Sequence, residues 1–353
     1  MTYGILPKST FQAFTTRRDI IGQLNAEVNR ASTELSTGRH ADPYGALGSK
    51  AARAFNVGAE LQRTESFLTS NKLLESQFDT TATVLQDLRT IAEEFLAFSV
   101  GSRDSEGATT SELQAAAKAA FTQIANLSNT TYAGKKLFSG VAADQPALTE
   151  WSRDGGAGLS PEDAMAAVLG GGLTTAADAA AKADTVDAMF ASDPTAPAGL
   201  RFEEVFYYGA DGTGPRVAAQ IDADTRLSYG LQADDQGFRD LMQGLAMLAG
   251  TDASQIGDEG AYSEWVGRAV DKVSEGVGGV LDMEARLGFS QNRLELATER
   301  LSERRNVLTS ERSELEGVDA YDAAMRLTEL ESRLQATYTV TARLGQLSFL
   351  NYL

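Results

Sequence analysis

Catalysis usually begins from a histidine, a cysteine or a convergent pair of carboxylates, and this 353-residue chain offers little of the first two. It has no cysteine and a single histidine, His40. Without thiols there is no disulfide, no thiolate nucleophile and no cysteine-ligated metal. His40 stands beside Arg39 and Asp42 in the short connection after a predicted first helix, where a lone imidazole reads as a polar loop residue. The adjacent carboxylates Glu93/Glu94, Glu203/Glu204 and Asp234/Asp235 are of the right type for acid–base work. In a chain with 49 Asp and Glu such pairs arise often, and their default reading is a solvated face or a helix cap.

Three glycine- or aspartate-rich stretches carry part of a ligand-site pattern. "YAGKKLFSG" has a Gly-Lys pair but lacks the earlier glycine and the Ser/Thr of a phosphate-binding loop. "GADGTG" has the glycines of a turn without dinucleotide-fingerprint spacing, and reads as a hairpin. "DADTR" (222–226) lacks the glycine and distal glutamate of a calcium loop. The expectation is therefore no catalytic residue, no cofactor, no metal and no enzyme.

Composition narrows the partners. The formal net charge of −18 and the pI near 4.5 argue against nucleic acid, which needs clustered Lys and Arg, and against an anionic membrane face. No stretch approaches the roughly 18–20 apolar residues of a membrane span. The opening "MTYGILPKSTFQAF" lacks the regions of a secretory signal, so export would need another route. Length and 42% hydrophobic content allow two or three domains with a real core.

The elements behind these features are mostly helices. Proline is absent from Tyr44 to Gln145 and from Arg216 onward, which permits long ones. Ile21, Leu24, Val28, Ala31 and Leu35 form an amphipathic stripe. Gly38 is a candidate C-cap, and Asp42-Pro43 an N-cap followed by proline at the first helical position. A second helix is predicted from about Tyr44 to Phe98, with Leu74, Phe78, Thr81, Leu85, Leu88, Ala92 and Phe95 in register. After a loop at "GSRDSEGATT", Leu113, Ala117, Ala120, Ile124 and Leu127 restart helix.

Leu287, Leu294, Leu301, Leu308 and Leu315 recur every seven residues. A straight helix drifts about 20° per heptad, so five such leucines point to coiled-coil-like packing. The intervening positions Gln291, Ala297, Arg304 and Glu311 leave half the usual apolar ladder empty, which favours packing within the chain over a parallel dimer. Asp319 and Asp322 resemble a capping box opening a last helix with Leu327, Leu330, Leu334, Val340, Leu344 and Leu347. The end, "LGQLSFLNYL", adds Phe349, Leu350, Tyr352 and Leu353.

Residues 143–252 differ, being rich in Gly, Ala and Asp. Alternation at Val217, Ala219, Ile221 and at Leu227, Tyr229, Leu231 predicts strands in this segment, around a Gly-rich turn in "RFEEVFYYGADGTGPRVAAQID". Phe238, Leu241, Leu245 and Leu248 predict a short helix. The fold class expected is mainly α: N- and C-terminal helices paired in a coiled-coil-like rod, with a mixed α/β central insertion.

Jointly, "ASTELSTGRHADP" (31–43), "IANLSNTTYAGKKLFSG" (124–140), the segment 285–338 and the closing "LGQLSFLNYL" resemble the bacterial flagellin family, and within it the hook-associated branch that forms the hook–filament junction. The first stretch keeps only Asp42-Pro43 of the family's usual proline loop.

The resemblance implies terminal assembly helices at 1–42 and 318–353, a helical rod at 43–142 and 253–317, and an outward-projecting domain at 143–252. It implies a structural subunit exported unfolded, without a cleavable signal, to the extracellular flagellum. The implied partners are like subunits in a ring or tube, hook-associated protein 1 on the hook side, flagellin on the filament side, and a cytoplasmic export chaperone on the C-terminal helices. Subunit contacts would involve Ile21, Leu24, Val28, Leu35, Leu334, Leu344, Leu347, Phe349, Leu350, Tyr352 and Leu353. An intrachain seam would join Leu74, Phe78, Leu85, Leu88 and Phe95 to the five heptad leucines. The alternatives are flagellin itself and, more remotely, a cytoplasmic coiled-coil signalling module.

Overall fold

A computed structural model describes residues 10–100, 108–155, 158–210, 212–252 and 256–350. The chain is 72% helical. It divides into two compact units, residues 1–66 with 300–353 and residues 67–299. Both boundaries fall inside long helices rather than at the element ends used in the sequence division.

The first unit contains α1 (Thr10–Thr37), α2 (Pro43–Leu47), a 3-10 turn (Gly48–Lys50), the start of α3 (Ala51–Val100), the end of α9 (Glu259–Glu316) and α10 (Ala320–Leu350). Gly38 closes α1 at φ +65°, a conformation that suits glycine. Asp42 caps α2, accepting from the Gly45 amide at 3.1 Å, and Pro43 follows it. The single helix predicted from Tyr44 to Phe98 is broken. Gly48 at φ +53° ends α2, and the 3-10 turn redirects the chain before α3 begins. At the start of α10 the Asp319 carboxylate accepts from the Tyr321 and Asp322 amides at 2.7 and 3.4 Å.

The second unit holds the rest of α3 and α9 together with α4 (Ala108–Ser128), β1 (Thr131–Tyr132), β2 (Lys135–Lys136), α5 (Pro161–Leu169), α6 (Ala176–Phe190), α7 (Phe202–Val205), β3 (Ala218–Gln220), β4 (Arg226–Ser228) and α8 (Gln236–Gly250). One continuous apolar core joins them. Phe78, Leu85 and Leu88 of α3 meet Phe121 and Ile124 of α4, Leu241 and Leu245 of α8, and Trp265, Val273 and Leu287 of α9. The central segment thus shares its core with the helices flanking it.

Several ligand candidates prove to be turns. "YAGKK" is the β1–β2 hairpin, with Ala133 at φ +48° and Gly134 at φ +81° between strands paired Tyr132↔Lys135. "DADTR" turns β3 into β4: the Asp222 carboxylate accepts from the amides of Asp224 (2.8 Å) and Thr225 (2.7 Å). Asp211 of "GADGTG" lies outside the described residues; among the described residues the strand reversal in this segment is the Asp222 turn further on. "RFEEV", read as strand, instead carries α7, whose opening amide at Arg201 is satisfied by Glu204 at 3.1 Å.

Asp234 and Asp235 do not lie on a solvated face. Both are buried. Arg216 donates to Asp235 at 2.8 Å, and Arg286 of α9 pairs with Asp235 at 3.3 Å. Burial pushes the Asp234 carboxyl above its usual range, with nearby Arg216 opposing. Asp235 fastens the loop before α8 to α9.

Candidate assembly surface

Among the described residues the first unit has a thin core. Its satellite cluster is Val57 and Leu61 of α3 against Leu308 of α9, with Leu315 packed beside it. Elsewhere in the unit Ala31, Leu301, Ala323 and Leu330 are buried. All the aromatic side chains that are buried among the described residues lie, by contrast, in the second unit.

The polar half of the heptad ladder has a use. Arg304 pairs with Glu60, and Glu311 accepts from Arg53 at 2.7 Å. In the second unit Gln291 donates to Asp79 at 3.3 Å, while Asn71 reaches both the Ile221 carbonyl (2.9 Å) and Thr298 (3.3 Å). Apart from the Ile221 contact, each pair couples α3 to α9, and residue numbers on the two helices run in opposite directions, so the helices are antiparallel. Of the seam positions, Leu74, Phe78, Leu85, Leu88, Phe95, Leu287 and Leu294 are buried in the second unit. Leu301 and Leu308 are buried and Leu315 half-buried in the first.

Helix α1 packs on α10, with Asn25 donating to the Tyr338 hydroxyl at 3.4 Å. The turns that follow α1 and α9 are tied backbone to backbone. The His40 amide donates to the Glu316 carbonyl at 2.9 Å, and the Val318 amide to the Gly38 carbonyl at 3.0 Å. Glu34 accepts from the Ala41 amide at 3.1 Å and lies 3.7 Å from the His40 ring. His40 is therefore a member of this double turn.

Of the residues expected to make subunit contacts, Ile21, Leu24, Val28 and Leu334 are half-buried and Leu35 is exposed. The backbone of Leu344, Leu347, Phe349 and Leu350 continues α10, but their side chains lie outside the described residues, as do Tyr352 and Leu353 altogether. The unit also leaves uncovered Val340, which the sequence placed on the last helix's apolar stripe, and apolar side chains that the sequence reading missed: Phe55 (62% exposed), Val307, Tyr321 (70%), Met325 and Tyr338. Phe55 borders a groove of about 590 Å³ floored by Ala51, Ala54 and Gly58 of α3 and flanked by Arg312 and Glu316 of α9. Among the described residues no group of His, Asp and Glu is arranged to hold a metal ion, and no helix is long and apolar enough to cross a membrane.

Residues 9–143 match the model of the bacterial flagellin N-terminal helical region, and residues 270–353 match that of the C-terminal helical region. The chain belongs to the bacterial flagellin family. This flagellin-family chain shares its fold with a protein from Vibrio parahaemolyticus assigned as flagellar hook-associated, at 11% identity and a TM-score of 0.51, over 77% of this chain and 99% of that one. A FlgL of Bacillus cereus is also similar, at 15% identity and a TM-score of 0.46, over 74% and 98% of the respective chains. A search of curated proteins returns no match.

Proposed function

We propose that this chain is a non-enzymatic structural subunit of the extracellular bacterial flagellum, placed at the junction between hook and filament. One observation carries the reading. The two matched flagellin regions lie at opposite ends of the sequence, and the first unit is built from those ends with too little core to stand alone. A fully buried leucine contributes roughly 1.5–3 kcal/mol, whereas ordering each residue costs about 1.5 kcal/mol. A seam with one leucine in seven residues needs further surface, and neighbouring subunits supply it by folding on binding.

In this reading 1–42 and 318–353 are the assembly helices, 43–142 and 253–317 the helical rod, and 143–252 the outward-projecting segment. Ile21, Leu24, Val28, Leu35, Leu334 and the closing apolar residues 344–353 enter subunit contacts. Hook-associated protein 1 and flagellin are the neighbours, and an export chaperone holds the C-terminal helices before assembly. What favours the junction over the filament is the ending "LGQLSFLNYL"; the alternative, flagellin itself, draws on the matching family models.

Electron microscopy of a strain lacking the chain, with flagellin measured in the medium, separates the two. Bare hooks with flagellin lost to the medium are expected. Bare hooks without such flagellin would make this chain the filament subunit, and normal filaments in a strain with no paralogue would overturn both readings. Removing residues 344–353 is expected to leave a folded, soluble monomer that does not assemble.

A further inference from the structure

We propose that the Met325 thioether is an oxidation site, which a peroxide modifies in the folded chain ahead of every other described side chain. The sulfoxide formed on α10 weakens subunit association, a consequence that rests on the assembly reading above. The chain has seven methionines and no cysteine, so thioethers are its most readily oxidised groups. Met165, Met189, Met242, Met247 and Met283 all belong to the core of the second unit, none of them more than 1% exposed. A peroxide reaches such sulfurs only when that core opens. Met325 is the exception among the described residues, at 59% exposed; Met1 lies outside them.

The place of Met325 on its helix gives the oxidation an effect. Helix α10 turns Ala323, Leu327, Leu330 and Leu334 inward, the first and third buried and the other two half-buried. Met325 and Tyr321, one turn apart, share the opposite face, and both are exposed. Oxidation there removes no buried contact of the monomer and leaves its fold in place. What changes is the outer face, where a flexible apolar side chain becomes a polar sulfoxide. Covered by a neighbour that offers no donor, the sulfoxide oxygen opposes association.

The step is a two-electron oxygen transfer. The sulfur lone pair attacks one oxygen of hydrogen peroxide, and the S–O bond forms as the O–O bond breaks. The proton of the transferred hydroxyl passes to the departing oxygen, which leaves as water. Sulfur is oxidised and the peroxide reduced, and the two methionine sulfoxide reductases reverse the change, one for each sulfoxide epimer.

The test treats the folded full-length chain with hydrogen peroxide and locates the added oxygen by peptide mass spectrometry. Sulfoxide should accumulate at Met325 at least about tenfold faster than at the five core methionines, with circular dichroism unchanged. Sedimentation velocity should show the oxidised chain associating at least about tenfold more weakly, with itself or with added flagellin. Both reductases together with a dithiol should restore it. Met325→Leu, a volume-conserving change at an exposed position, should associate like the wild type and keep doing so after peroxide, which separates Met325 from Met1. Met325→Gln should reproduce the weakening without oxidant. Oxidation spread evenly over the methionines, or a leucine variant that loses association to peroxide as the wild type does, overturns the proposal. A chain oxidised at Met325 that associates unchanged also overturns it and leaves the assembly reading intact. An untreated chain that associates with neither itself nor flagellin removes the assembly reading, and the effect on association with it.

Discussion

Gly237 of α8 and Gly279 of α9 touch backbone to backbone: a Cβ on Gly237 would come within 2.6 Å of the Gly279 carbonyl carbon, and one on Gly279 would overlap the Gly237 Cα. Two helices approach this closely only where neither carries a side chain. Gly276 serves the same crossing, since its Cβ would lie 2.5 Å from the Leu241 nitrogen. Gly279→Ala should destabilise the second unit by about 1–3 kcal/mol despite its better helix propensity. Gly288→Ala, further along α9 where a Cβ meets nothing, should be neutral or stabilising by up to about 1 kcal/mol. Urea unfolding of both variants reads the contrast.

Both tryptophans, Trp151 and Trp265, are buried in the second unit, and the first unit has none. Heating should therefore give two signals that do not coincide. Helical dichroism is expected to fall first, as the thinly cored first unit melts, with tryptophan emission changing only at a higher temperature. Coincident transitions would show that the two units unfold together.

The ion pairs and the leucines joining α3 to α9 should differ in weight. Arg304 and Glu60 are both largely exposed, so Arg304→Ala is expected to cost under about 1 kcal/mol. Leu308, 5% exposed, fills the small cluster with Val57 and Leu61, and Leu308→Ala should cost about 2 kcal/mol or more. Dichroism-monitored thermal melts of the two variants decide the order.

Acid should weaken the starts of α5 and α6 and the turn that follows α6. Ser160 donates to the Asp163 carboxylate at 2.6 Å and holds its pKa below the usual range, as the Thr174 amide does for Asp178 and Thr195 for Asp193. A carboxylate with a depressed folded pKa adds stability above its unfolded pKa and loses it as pH falls through the folded value. Melting temperature should drop below about pH 4. Asp163→Asn should lie below wild type at pH 7 and converge with it as acid protonates the Asp163 carboxylate.

Long helices were legible because their signals are local and repeated. Leu287 to Leu308 and Leu74 to Phe95 show their period over many turns, and Gly38 and Asp42-Pro43 mark ends by backbone chemistry alone. The helices α5 and α6 were hidden by alanine-rich faces with little amphipathic contrast, although Ser160-Pro161-Glu162-Asp163 is a capping signal that could have revealed the first. The break at Gly48 is one glycine adopting a positive φ inside an otherwise helical pattern, and the buried pairing of Asp235 depends on Arg216 and Arg286, distant in sequence. The groove beside Phe55 was illegible for the same reason: its wall at Arg312 and Glu316 comes from the far end of the chain.

The contact between Asn25 and Tyr338 spans 313 positions of sequence, and the double turn joining Gly38 to Val318 is nearly as non-local. Closing so long a loop is slow, because its entropy is lost before any contact forms. Residues 67–299 hold their own core and can reach it as soon as they are together. Residues 1–66 must wait for residues 300–353, so folding is expected to follow an order: the unit of residues 67–299 forms first, and the unit that pairs the two flanks closes after it.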